Sequence, residues 1–202
     1  MNIEIKKSVK PVKYNNAIEF LEKRVNQIIA GKSKELVWSL EHPSVFTAGR
    51  KYKNDEILDK KIKLIKTLRG GKITWHGPGQ IIFYFVINLN KRKKDIRNLI
   101  RQIENTIINF LKVYKIKSRS DKNNIGVWVK NKKIAAIGIK VTRWVAYHGF
   151  SINIKNDLND YKKIIPCGLD NSKVTSLENE RKKPFNVQKN LKKIFIKQLL
   201  NV

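Results

Sequence analysis

Cysteine occurs once in this sequence, at position 167. A single cysteine leaves no internal disulfide and no multi-cysteine metal site. Acidic residues are scarce as well: 16 Asp and Glu stand against 44 Lys and Arg, a formal net charge of +28. No apolar run reaches the length of a membrane-spanning helix, which needs about 18 residues or more. The opening stretch MNIEIKKSVK alternates apolar and polar residues and lacks the apolar core of a secretory signal. Only three histidines are present, His42, His76 and His148, too far apart for an HExxH-type metal site. These absences lead us to expect a soluble, reduced, cytoplasmic protein with no metal and no cofactor. Glycine (10) and proline (5) are few, so the places where they gather carry information.

What is abundant is positive charge. A field of this size draws in any polyanion, yet the lysines are spread along the whole chain and form no single stripe. The richness in Ile, Asn and Lys also fits a compositional drift of the genome. Acidic protein partners suit the charge as well as a nucleic acid does. A basic nucleic-acid-binding protein is retained as the alternative of a different class.

Hydropathy periods predict strands at 2–7, 35–40, 62–68, 72–75, 80–88, 126–130, 133–141 and 145–154. Helices are predicted at 15–30, with Ala17, Phe20, Leu21, Val25 and Ile28 inward, and at 95–114, capped by Asp95. A last helix near 186–200 would present Val187, Leu191, Ile194, Phe195 and Gln198 along one side. Long helices among groups of adjacent strands indicate an α/β fold, a mixed sheet flanked by helices. No linker, repeat or boundary divides residues 1–202, which read as one domain.

Three segments carry chemistry. RGGKITWHGPGQ (69–80) holds four of the ten glycines; the bland reading is a glycine-rich hairpin, but Arg69, His76, Gln80 and Trp75 add polar groups and a flat apolar wall to a backbone that can approach a ligand closely. IIPCGLD (164–170) sets Cys167 between Pro166 and Gly168. A lone cysteine is usually a small buried hydrophobe. Here Pro166 keeps Ile165 out of helix and Gly168 lets the chain turn after the sulfur, offering a backbone N–H as an oxyanion donor. In KKIAAIGIK (132–140), strict strand alternation puts Lys133 on one face with Ala135, Ile137 and Ile139, and Lys132 and Lys140 on the other. A lysine on an apolar face is costly unless partnered.

EHPSVFTAGR (41–50), RGGKITWHGPGQ (69–80), KIAAIGIKV (133–141), HGFSINI (148–154) and IIPCGLDNSKVTSL (164–177) resemble, in order and spacing, the octanoyltransferases of lipoate biosynthesis. The resemblance implies a largely antiparallel mixed sheet of the biotin/lipoate protein ligase kind, and a Cys–Lys dyad falling on Cys167 and Lys133. It carries substrate contacts to Arg69, Gly70, Gly71, Lys72, Ile73, Thr74, Trp75 and His76, to Ala136, Ile137 and Gly138, and to Gly149, Phe150 and Ser151. Trp75 stands where many relatives have tyrosine, and Ser151 where alanine is frequent. The implied donor is octanoyl-acyl carrier protein. The implied acceptors are lipoyl domains of 2-oxoacid dehydrogenase complexes and the glycine cleavage H protein, served by a monomer that binds neither nucleic acid nor membrane. Phe83, Phe85 and Phe150 are candidates for an acyl tunnel, or simply core. The rival on the same fold is an ATP-dependent lipoate or biotin ligase, which needs no nucleophilic cysteine. A cysteine hydrolase is disfavoured because no His–Asp/Asn pattern surrounds Cys167.

Overall fold

The longest apolar strand explains the layering. QIIFYFVIN (Gln80–Asn88) is buried at all but its final residue, because both of its faces are covered. The structure, a computed structural model, describes residues 3–166 and 174–181, and beyond them residues 187, 190, 191, 193, 194 and 197. Cys167, Gly168, Phe195 and Gln198 lie outside the described residues.

In chain order the elements are β1 (Ile3–Lys7), α1 (Tyr14–Ile29), β2 (Glu35–Leu40), β3 (Val45–Ala48), β4 (Leu64–Lys66), β5 (Ile73–His76), β6 (Gln80–Asn88), α2 (Ile96–Val113), β7 (Arg119–Ser120), β8 (Val127–Val129), β9 (Lys132–Thr142), β10 (Val145–Asn153) and α3 (Leu177–Glu180). A seven-stranded sheet runs β1-β2-β6-β10-β9-β8-β7, and a three-stranded sheet runs β4-β3-β5. Within them β1–β2 and β3–β4 are parallel and the other pairs antiparallel. The expected mixed, largely antiparallel sheet flanked by helices is therefore what forms. The pattern missed β3 and β7, of four and two residues.

Each helix covers one face. Ala17, Leu21, Val25 and Ile28 of α1 pack with Leu36, Trp38, Ile82, Tyr84 and Val86. Leu99, Ile103, Ile107, Phe110 and Leu111 of α2 pack with Val37, Ile81, Phe83, Phe85 and Ile87 on the opposite face. Even-numbered residues of β6 thus meet α1 and odd-numbered ones meet α2. The five α2 side chains are almost fully buried, each worth about 1.5–3 kcal/mol. Asp95 caps α2 as expected, its carboxylate accepting from the Asn98 N–H at 2.9 Å. Residues 187, 190, 191, 193, 194 and 197 are helical, and Leu191 is buried in the α2-side core, with Val187 and Ile194 packed against it. The smaller sheet closes a third cluster of Phe46, Ile73, Trp75, Tyr161 and Ile164. Among the described residues, no helix is long and apolar enough to cross a membrane.

Candidate functional site

The smaller sheet and the middle of the larger one enclose a cleft of about 480 Å³, counting its open mouth. Strand alternation decides what faces it. On β5, Thr74 and His76 line the cleft, whereas Ile73 and Trp75 point into the third core cluster, the Trp75 indole donating to Ser44 Oγ at 2.9 Å. On β6, Ile82 and Tyr84 face it. Ala136 and Gly138 of β9 pair with Ser151 and Gly149 of β10 and floor it. Gly149 is required there: an added Cβ would sit 2.0 Å from the Phe83 carbonyl oxygen. Phe83 and Phe85 face α2 instead, and of the three tunnel candidates only Phe150, stacked on Phe83 at 5.3 Å between ring centroids, reaches the cleft.

Arg69 is the fixed charge of this cleft, yet it is buried. Its terminal nitrogens donate to the carbonyls of Gly70 (3.0 Å), Lys72 (3.1 Å) and Thr47 (3.0 Å) and to Thr47 Oγ1 (2.8 Å). Among the described residues it has no carboxylate partner, and its Nε–H is buried without an acceptor. The guanidinium thus pins the glycine-rich loop, and its charge acts on Tyr14, His76 and His148 around the cleft.

The three histidines, scattered in sequence, converge here, His76 and His148 in the lining and His42 behind His76. His42 lies 5.9 Å from His76 between ring centroids, and His148 lies 6.3 Å from Tyr84. The partners fix the tautomers. His42 Nδ1–H donates to the Val12 carbonyl at 2.6 Å, leaving Nε2 to accept from the Tyr84 hydroxyl at 2.9 Å. His76 Nδ1–H donates to Gln80 Oε1 at 2.7 Å. Burial pulls His42 down to about 4. Burial, then the neighbouring His42 and Arg69, pull His76 to about 3. Burial, then Arg69 and Lys140, do the same for His148. All three are neutral at physiological pH. Tyr14, whose phenol is pushed up by burial against the opposing pull of Arg69, completes the layer.

A chain of hydrogen bonds leads from this layer to Lys133. Gln80 Nε2 donates to Asn153 Oδ1 at 2.8 Å and to the Tyr161 hydroxyl at 2.9 Å. Asn153 Nδ2 donates to the Thr175 carbonyl at 3.0 Å, and the Thr175 N–H donates to the Lys133 carbonyl at 3.0 Å. Lys133 lines a second cavity with Tyr161, Pro166 and Val174, and this cavity shares Thr74, Ala136 and Ser151 with the main cleft. The alternation expected for Lys133 does not hold. The β8–β9 register slips by one residue, leaving Ile134 extra, so Lys133 opposes Trp128 while Ala135 opposes Val127. This bulge turns Lys133 away from the face of Ala135, Ile137 and Ile139. Its Nζ lies 5.2 Å from the Trp128 ring centroid.

The family described as "Lipoyl protein ligase A/B catalytic domain" matches residues 13–199. The octanoyltransferase of Wolbachia sp. subsp. Brugia malayi (strain TRS) is 45% identical over 193 residues, which is 92% of this chain and 94% of that protein. The chain belongs to the octanoyltransferase family. Two solved structures share its fold. Lipoate-protein ligase A bound with ATP superposes with a TM-score of 0.77 at 15% identity, over 98% of this chain and 86% of that one. Biotin protein ligase from Aquifex aeolicus gives 0.53 at 13% identity, over 100% and 70%. At such identities the likeness concerns the fold alone.

Of the residues that the octanoyltransferase resemblance singled out, Arg69, Gly71, Lys72, Thr74, His76, Ala136, Ile137, Gly138, Gly149, Phe150 and Ser151 line the main cleft. Gly70 adjoins it, its N–H bonded to the Ile139 carbonyl at 3.0 Å. Ile73 and Trp75 lie behind it in the core. Sequence reasoning did not pick out Tyr14, Tyr84, His148 or Ile82 as cleft residues, nor His42 beneath them. One signal was available: tyrosine and histidine interrupt otherwise apolar strands at 84 and 148.

Proposed function

We propose that this chain moves an octanoyl group from octanoyl-acyl carrier protein to a lysine of a lipoyl domain, through a thioester on Cys167 with Lys133 as its dyad partner. The observation that carries the reading is that Pro166, one peptide link from Cys167, shares a cavity with Lys133, and that this cavity has Thr74, Ala136 and Ser151 in common with the cleft. A free thiol is only a few per cent ionised at neutral pH, and a lysine beside it acts as base or as the ammonium of an ion pair. The thiolate attacks the donor's thioester carbonyl, the pantetheine sulfur leaves with the electron pair, and it takes up the proton. Acylation then removes the thiolate charge, so the Lys133 ammonium releases its proton more readily. Neutral Lys133 accepts a proton from the attacking amine, an amide forms, and the Cys167 sulfur leaves. The thioester supplies the free energy, so the reading requires neither nucleotide nor metal.

Intact-mass measurement after mixing with octanoyl-acyl carrier protein tests it. One octanoyl group should add to the wild type and none to Cys167→Ala, with transfer at full rate in EDTA without ATP. Undiminished transfer by Cys167→Ala would end the covalent reading, and a strict ATP requirement would favour a ligase.

A further inference from the structure

Glu104 is a buried carboxylate on α2, an element that otherwise supplies core. Its Oε1 accepts the Gly126 N–H at 3.3 Å. Gly126 has a φ of +138°, which side-chain-bearing residues avoid. An added Cβ there would fall 2.5 Å from Lys133 Cε, 3.3 Å from Lys133 Nζ and 2.6 Å from the Ala135 carbonyl oxygen. The lysine stem therefore runs directly over the bare α-carbon of Gly126, and Glu104 holds that glycine from behind. Among the described residues, the aromatic groups facing Lys133 are the Trp128 ring and, across the shared cavity, Tyr161, with Thr74, Ser151 and Asn153 as polar neighbours in that cavity. Asp121 is the other charge acting on Glu104. Among the described residues no carboxylate comes within 4.0 Å of Lys133 Nζ, so Glu104 is its counter-charge at one remove. Burial pushes the Glu104 carboxyl up, while the Gly126 N–H and the Lys133 charge pull it down.

We propose that Glu104 is a positioning residue for Lys133: it fixes Gly126 against the lysine stem and supplies the negative charge behind it. The catalytic part of this proposal rests on the dyad reading above; the coupling of the two side chains does not. The Lys133 charge acts on the Glu104 carboxyl, and linkage makes such a coupling reciprocal. A directly bonded pair would freeze the lysine in place. A glycine-spaced one leaves Nζ free to exchange protons in its cavity.

Glu104→Gln separates the two roles, since its amide oxygen still accepts the Gly126 N–H while the charge is gone. In single-turnover transfer from the pre-acylated enzyme to the acceptor amine, Glu104→Gln should shift the rising limb of the pH–rate profile to lower pH by about half a unit to one unit. Glu104→Ala, which loses the anchor too, should show that shift and an additional rate loss of about tenfold. Profiles and rates of both variants identical to wild type would overturn the proposal. A second measurement needs no activity. The chain has nine glutamates, and 13C-carboxyl labelling follows each one. Glu104 should titrate at higher pH in Lys133→Met than in wild type. An unmoved Glu104 titration would overturn the coupling even if Cys167 is the nucleophile, and a moved one supports it even if Cys167→Ala proves active.

Discussion

His42, His76 and His148 are ordinary bases forced to stay neutral, and folding must keep protons off them. Their folded values of about 4, 3 and 3 lie below the unfolded value of 6.5. Between those values the unfolded chain binds more protons, so stability is fully present above pH 6.5 and lost as pH falls toward the folded values. At pH 5 each histidine costs at most about 2 kcal/mol. Urea unfolding should therefore show a loss of several kcal/mol between pH 7.5 and 5. His148 has a φ of +70°, which asparagine tolerates better than most residues. His148→Asn should remove about a third of that loss. A stability flat across this range would contradict the burial of the three rings.

At the scale of elements, one ion pair ties the sheet together. Arg92, just beyond β6, meets the first residue of β2, Glu35, with both terminal nitrogens, and Glu35 also accepts the Asn88 N–H at 2.7 Å. Both side chains are nearly buried. Removing one partner strands the other's charge, so Arg92→Met should cost about 3–5 kcal/mol in urea unfolding. Arg92→Lys should recover only part, because an ammonium cannot make the two-pronged contact. A loss below about 1 kcal/mol for Arg92→Met would show that the charge finds water instead. The same scale separates what was legible in sequence from what was not. α1 and α2 stand out because each repeats its apolar period over many residues, and β6, β9 and β10 because each is a long run rich in apolar residues. β3 has only four residues, and the slip at Ile134 is invisible to any alternation rule because a bulge leaves the residue types unchanged. The cleft segments were legible as glycine clusters. The grouping of His42, His148 and Tyr84 around His76 was not, since these residues come together only through pairing of β6 with β10 and docking of the smaller sheet.

For the whole molecule, the excess of 44 basic over 16 acidic side chains pulls two properties in opposite directions. Like charges repel in the compact state, so screening should stabilise the fold. Acidic partners meet a cationic surface faster when the field reaches far. Raising NaCl from about 50 to 500 mM shortens the Debye length to roughly 4 Å. The urea midpoint should rise while kcat/KM for an acidic carrier falls, with kcat little changed. A midpoint that falls with salt would mean that attractive pairs outweigh the repulsion. A kcat/KM indifferent to salt, with association shown to limit the rate, would leave the charge without a part in partner encounter.

β10 runs out at Asn153, and beside Lys133 its place is taken by Val174 and by the Thr175 N–H. The strand edge that seats the lysine is thus closed by a part of the chain that the ribosome makes later. The cleft floor is finished once β10 has emerged, but the clamp on Lys133 is about twenty residues behind, one to four seconds at about 5–20 residues per second. Cys167 emerges within that interval. A nascent chain therefore completes the floor of its cleft before it holds the pair of groups proposed as the dyad, and vectorial synthesis separates the two in time.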